Sequence, residues 1–81
     1  MSTPNVEFSP QAQQISFTEN DLVIDLVDGR TVSVPLVWFP RLAGATRTQL
    51  EHFEILGNGE GIHWPDIDED LSVAGLLRGP H

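Results

Sequence analysis

The residues that could do chemistry crowd into the last third of the chain, from Gly57 to Leu71, where a glycine-rich turn, a His63-Trp64-Pro65 triplet and several carboxylates follow one another. His63 is the natural starting point, because a carboxylate beside an imidazole raises its pKa and suits it to acid–base work. Glu54 is its expected cross-strand neighbour and Asp66 lies close in sequence. No serine, cysteine or second histidine stands at a spacing from His63 that marks a nucleophile or a ligand set; His52 falls at the end of an expected helix and His81 is the last residue. His63 therefore reads as a surface histidine on a hairpin. Asp66, Asp68 and Asp70 alternate as at the start of an EF-hand calcium loop, but Leu71 stands where that loop needs its glycine and Leu77 where it needs its bidentate glutamate. The structural reading of these carboxylates is an Asx-turn at Asp66 and favourable charge at a helix N-terminus for Asp68, Glu69 and Asp70. Gly57-Asn58-Gly59-Glu60-Gly61 precedes no helix and the chain has no lysine, so it is a turn and not a phosphate cradle. No catalytic, cofactor-binding or metal-ligating residue is assigned, and no cofactor is expected.

A second group is suited to contact with a partner. Trp38 and Phe39 are adjacent in an irregular segment and cannot easily be buried together, which leaves one of them at the surface. An exposed aromatic beside Arg41 is the kind of anchor that protein interfaces use. The residues singled out for interaction are Trp38, Phe39, Arg41, Glu54, His63 and Asp66.

The elements that must position these side chains follow from alternation and parity. Ile15 and Phe17, then Leu22, Ile24 and Leu26, then Val32, Val34 and Leu36 alternate with more polar neighbours, the period of half-buried strands. Opposed residues share a face, so pairing odd with even positions needs an even loop and pairing even with even needs an odd one. A two-residue loop Glu19-Asn20 sets Phe17 opposite Leu22 and Ile15 opposite Ile24. A three-residue loop Val27-Asp28-Gly29, with Gly29 left-handed, sets Leu22 opposite Val34 and Ile24 opposite Val32. Asn58-Gly59 predicts a type I′ hairpin that pairs Ile55 with Ile62, Phe53 with Trp64 and Glu54 with His63. Between the hairpins, Pro40 and Gly44 bracket one helical turn. Thr46 and Gln49 form a capping box for a helix over roughly Arg47 to His52. Leu71 to Leu77 predicts a last short helix, capped by Asp70 or Ser72 and stopped by Gly79-Pro80. The expected fold is α+β: a three-stranded antiparallel meander, a second β-hairpin, and two or three short helices.

At 81 residues the chain is one small domain. Residues 1–13 are expected to be a flexible tail with a short docked segment around Phe8, and residues 14–79 the ordered domain. With no cysteine there is no disulfide framework. The chain shows neither a signal peptide nor an apolar run that spans a membrane, so a cytoplasmic location is the default expectation. Twelve carboxylates stand against four arginines, a formal net charge of -8. That balance argues against direct contact with nucleic acid or an anionic membrane, serves solubility, and steers basic partners.

Asp28-Gly29-Arg30, Phe39-Pro40-Arg41-Leu42, Ala45-Thr46, Gly61-Ile62-His63-Trp64-Pro65, Asp68-Glu69-Asp70 and Gly75-Leu76-Leu77 occur in this order. With this combination the chain resembles the small prokaryotic family known as domain of unknown function 2442, over roughly Ile15 to Gly79. The resemblance implies a small α+β domain without an established activity. Some members carry a helix-turn-helix domain after this module, which this chain is expected to lack, so DNA binding does not carry over. Members that lie beside another small gene imply a paired, toxin–antitoxin-like system. The leading functional expectation is a small, acidic, non-enzymatic module that binds another protein, such as the product of a neighbouring gene. The alternatives are a metal-dependent or acid–base enzyme built on His63 and its carboxylates, and the sensor part of a transcription regulator without its own DNA-binding domain.

Overall fold

The computed structural model describes residues 10–78, and the expected docked segment around Phe8 and the Gly79-Pro80 stop lie outside them. The fold is α+β and contains two antiparallel sheets of three strands each. The first is a meander of β1 (Ala12–Phe17), β2 (Asp21–Leu26) and β3 (Thr31–Pro35). A 3₁₀ turn at Leu36–Trp38, α1 (Pro40–Ala43) and α2 (Arg47–Glu51) connect it to the second. That sheet is β4 (Glu54–Leu56), β5 (Gly61–Trp64) and β6 (Glu69–Ser72), and α3 (Val73–Arg78) follows. The described residues contain no helix long and apolar enough to cross a membrane.

The first meander has the register that parity dictates. Phe17 faces Leu22 and Ile15 faces Ile24, while Leu22 faces Val34 and Ile24 faces Val32. Gly29 takes φ +98° in the three-residue loop, and the Arg30 backbone N–H bonds the Asp28 side chain at 3.0 Å to close the Asx-turn beside it. The strand begins earlier than the alternation suggests. The register shifts between Ala12 and Gln14, and this bulge inverts the faces, so that even-numbered Ala12 is buried along with odd-numbered Ile15. Ala12 and Gln13 thus belong to β1 and not to a tail.

Pro40 occupies the first turn of α1 and Gly44 its C-cap. Thr46 and Gln49 make the complete capping box. Thr46 Oγ1 accepts from the Gln49 N–H at 3.1 Å, and Gln49 Oε1 accepts from the Thr46 N–H at 3.0 Å.

The hairpin register Ile55 to Ile62 and Glu54 to His63 also holds, but its turn is not type I′. Gly57 and Gly59 have positive φ and Asn58 does not. Leu56 O accepts from both Gly59 N and Glu60 N, at 3.1 and 3.2 Å, in a wider loop. The ladder ends at Glu54–His63, so Phe53 meets the core outside the sheet, edge-on to Phe17 at 6.2 Å between ring centres. Glu69 and Asp70 do not sit at a helix start. They lie on β6, which makes the expected hairpin a second meander, and Ser72 alone caps α3, its Oγ accepting from Gly75 N at 3.2 Å.

The core lies between the inward faces of the sheets and is closed by the helices. Trp64, Leu22, Ile24, Leu42, Ile62 and Val73 are its fully buried members. Trp64 donates its indole N–H to the Leu50 carbonyl at 2.9 Å, which satisfies a buried donor and ties β5 to α2.

Candidate interaction site

The second sheet places its side chains by a rule that its backbone fixes. Val73 N donates to Glu60 O at 3.0 Å. Paired residues of an antiparallel ladder alternate between exchanging main-chain hydrogen bonds and turning them outward. The bond at Glu60 and Val73 therefore makes Ile62–Leu71 and Trp64–Glu69 bonded pairs, and His63–Asp70 and Gly61–Ser72 non-bonded ones. On its other side β5 then uses Gly61 and His63 to bond Leu56 and Glu54.

This alternation selects the partner of His63. Non-bonded pairs bring Cα atoms to about 4.5 Å and bonded pairs only to about 5.5 Å, so side chains meet more closely across the former. His63 Nδ1 lies 2.5 Å from Asp70 Oδ1. Glu54, opposite His63 on the bonded side, contributes charge without a hydrogen bond. The hydrogen bond to Asp70 is the first cause that raises the His63 pKa above its ordinary value. Desolvation opposes it, and the charges of Asp70, Glu54 and Asp68 add to it. The expected grouping is corrected at one point: Asp66 does not serve His63. It accepts from His52 Nδ1 at 2.9 Å, at the C-terminal end of α2. The residue that sequence reasoning missed is Asp70. Had β6 been seen as a strand, the four-residue loop from Pro65 to Asp68 would have set Trp64 opposite Glu69 and His63 opposite Asp70.

Leu56, Gly61 and Ser72 share the face of Glu54, His63 and Asp70, because rows alternate along each strand. Gly61 leaves a dent in mid-sheet, and a Cβ there would sit 3.5 Å from Leu56 Cδ1. Leu56 stands exposed at its rim.

Beyond β6 lies the other predicted group. Trp38 is exposed, whereas Phe39 is half-buried against the core, and their rings meet edge-on at 6.5 Å. Both line a cleft of about 210 Å³ with Asp70, Leu71 and Leu76. Arg41 donates to the Asp68 carbonyl at 2.5 Å and fastens α1 to the turn before β6. Asp68 itself has φ +55°, a left-handed conformation that aspartate tolerates better than most residues. The structure thus brings Trp38 and Phe39 close to the His63–Asp70 pair, and gives Arg41 a positioning role.

The cations are already engaged. Arg30 pairs with Asp28 at 2.8 Å, and hydrogen bonds from its side chain and backbone hold the Asp28 carboxyl below its ordinary value. Arg47 donates to the Thr18 carbonyl at 3.3 Å, and Arg78 is engaged as well. Among the described residues no group of three or more His, Cys, Asp and Glu side chains is placed to hold a metal ion.

These features define a small α+β domain of two packed meanders with an exposed acidic-aromatic margin. The chain belongs to the family described as protein of unknown function (DUF2442), whose model matches residues 12–81. It is similar to a protein of unknown function from Rhodospirillum rubrum ATCC 11170, known from a crystal structure, at 38% identity and a TM-score of 0.77, over 86% of this chain and 87% of that one. It is also similar to an uncharacterized protein from Chromobacterium violaceum, known from a solution NMR structure, at 26% identity and a TM-score of 0.73, over 86% of this chain and 66% of that one. No curated protein matches it.

Proposed function

We propose that the domain is a small acidic, non-enzymatic module that binds a basic protein partner, encoded by a neighbouring gene. The observation that carries this reading is the second sheet. Exposed Leu56 and Trp38 flank a face that carries Glu54 and Asp70, while every arginine is already held within the domain. Apolar anchors beside two carboxylates that share a single histidine, His63, favour a partner that brings lysine or arginine.

Co-expression with the product of the neighbouring gene tests the reading. A specific complex should form at low salt and dissociate progressively as ionic strength approaches 1 M, where the Debye length falls to about 3 Å. Absence of a specific complex with that product, or a complex indifferent to salt, would count against it.

A further inference from the structure

We infer that the free edge of β6, together with the cleft beside Trp38, takes up an extended basic segment of the partner as an added strand. This rests on the reading of the domain as a module for a basic protein and says where and how the contact is made. The bond between Val73 N and Glu60 O turns the main-chain groups of Asp70 and Ser72 away from β5. Among the described residues no further strand pairs with that edge. The Asp68 carbonyl at its start is taken by Arg41, and α3 begins at its far end. The open stretch is therefore short and centred on Asp70. The Asp70 N–H meets only the neighbouring Glu69 carboxylate, at 3.3 Å, which a swing of that side chain releases.

A strand laid on this edge would present its side chains alternately to the two faces of the sheet. On the outer face lies the Asp70 carboxylate, shared with His63 of β5, and two strands from the edge lies Glu54; the carboxylate at the edge suits arginine or lysine. On the other lies the cleft lined by Trp38, Phe39, Leu71 and Leu76, which suits an aliphatic side chain. At about 210 Å³ it falls below the roughly 300–1,000 Å³ of small-molecule sites and matches a side-chain anchor better. The occupant is thus an extended segment in which basic and aliphatic residues alternate. A second copy of this chain is disfavoured by its own net charge of -8.

The test uses the full chain, labelled with ¹⁵N, at low salt. The probe is the peptide Arg-Val-Arg-Val-Arg-Val, with Glu-Val-Glu-Val-Glu-Val as its control. The basic peptide should give saturable shifts at the amides of Asp70, Leu71 and Ser72 and at the Trp38 indole, and should slow hydrogen exchange at Asp70. Trp38→Ala, at an exposed position, should weaken binding about tenfold, the scale of an interfacial aromatic anchor. Shifts centred on Ile55 of β4 or on the first sheet would overturn this site and leave the basic-partner reading standing. Equal binding of the acidic peptide would overturn it too, as would no shift with either. Failure of the co-expressed complex, by contrast, would remove the module reading itself.

Discussion

His63 and Asp70 show how a backbone pattern sets the state of a single ring. The folded-state pKa of His63 is raised from 6.5, chiefly by its hydrogen bond to Asp70. Protonated His63 therefore favours the fold. The contribution is complete below the unfolded value, about 6.5, and is lost as pH rises through the folded one. In Asp70→Asn the His63 titration, followed by NMR, should move to lower pH, and the decline of melting temperature across that window should flatten. An unmoved His63 midpoint would show that Glu54 and Asp68 set it instead. At Asp68, where φ is +55°, glycine should be tolerated. A β-branched residue should cost about 1–2 kcal/mol in denaturant unfolding, and equal stability of Asp68→Gly and Asp68→Val would contradict the strain.

The elements differ in how much of them the residues announce. The capping box at Thr46 is written in two side chains, and Thr46→Ala should lower stability by about 1 kcal/mol, read from the urea midpoint at unchanged m-value. Parity fixes the two registers of the first meander and the Asn58-Gly59 turn signal that of the β4–β5 hairpin, because the apolar residues of these strands concentrate on one face. β6 was not legible in the same way. Glu69, Asp70 and Ser72 disfavour strands, and Leu71 is the one apolar side chain among them, so their carboxylates matched a helix start equally well. What places them in a sheet is pairing with β5, a tertiary effect. The bulge at Gln13 hid the start of β1 for a related reason: it switches Ala12 to the buried face and breaks the period. The candidate site inherits both failures. Glu54, His63, Trp38 and Phe39 were visible as residues, but Asp70 becomes the partner of His63 only once β6 exists.

In the whole molecule, the tip of the second meander rests on the start of the first. Ala12 N donates to Gly59 O at 2.6 Å. Gly59 has φ +101°, and a Cβ there would come within 2.5 Å of the Ala12 carbonyl oxygen. Gly59→Ala should cost on the order of 1–3 kcal/mol from backbone conformation alone, with the overlap in addition. Guanidinium unfolding would measure it, and a loss within a few tenths of a kcal/mol would show that the two sheets are not held at this point. The same contact bears on how the chain reaches its structure. Each meander joins strands that are neighbours in sequence and can assemble quickly, while Gly59 and Ala12 close one of the longest loops in the chain. We expect their meeting to come after the rate-limiting barrier, so that loosening it hastens unfolding and leaves the refolding rate nearly unchanged.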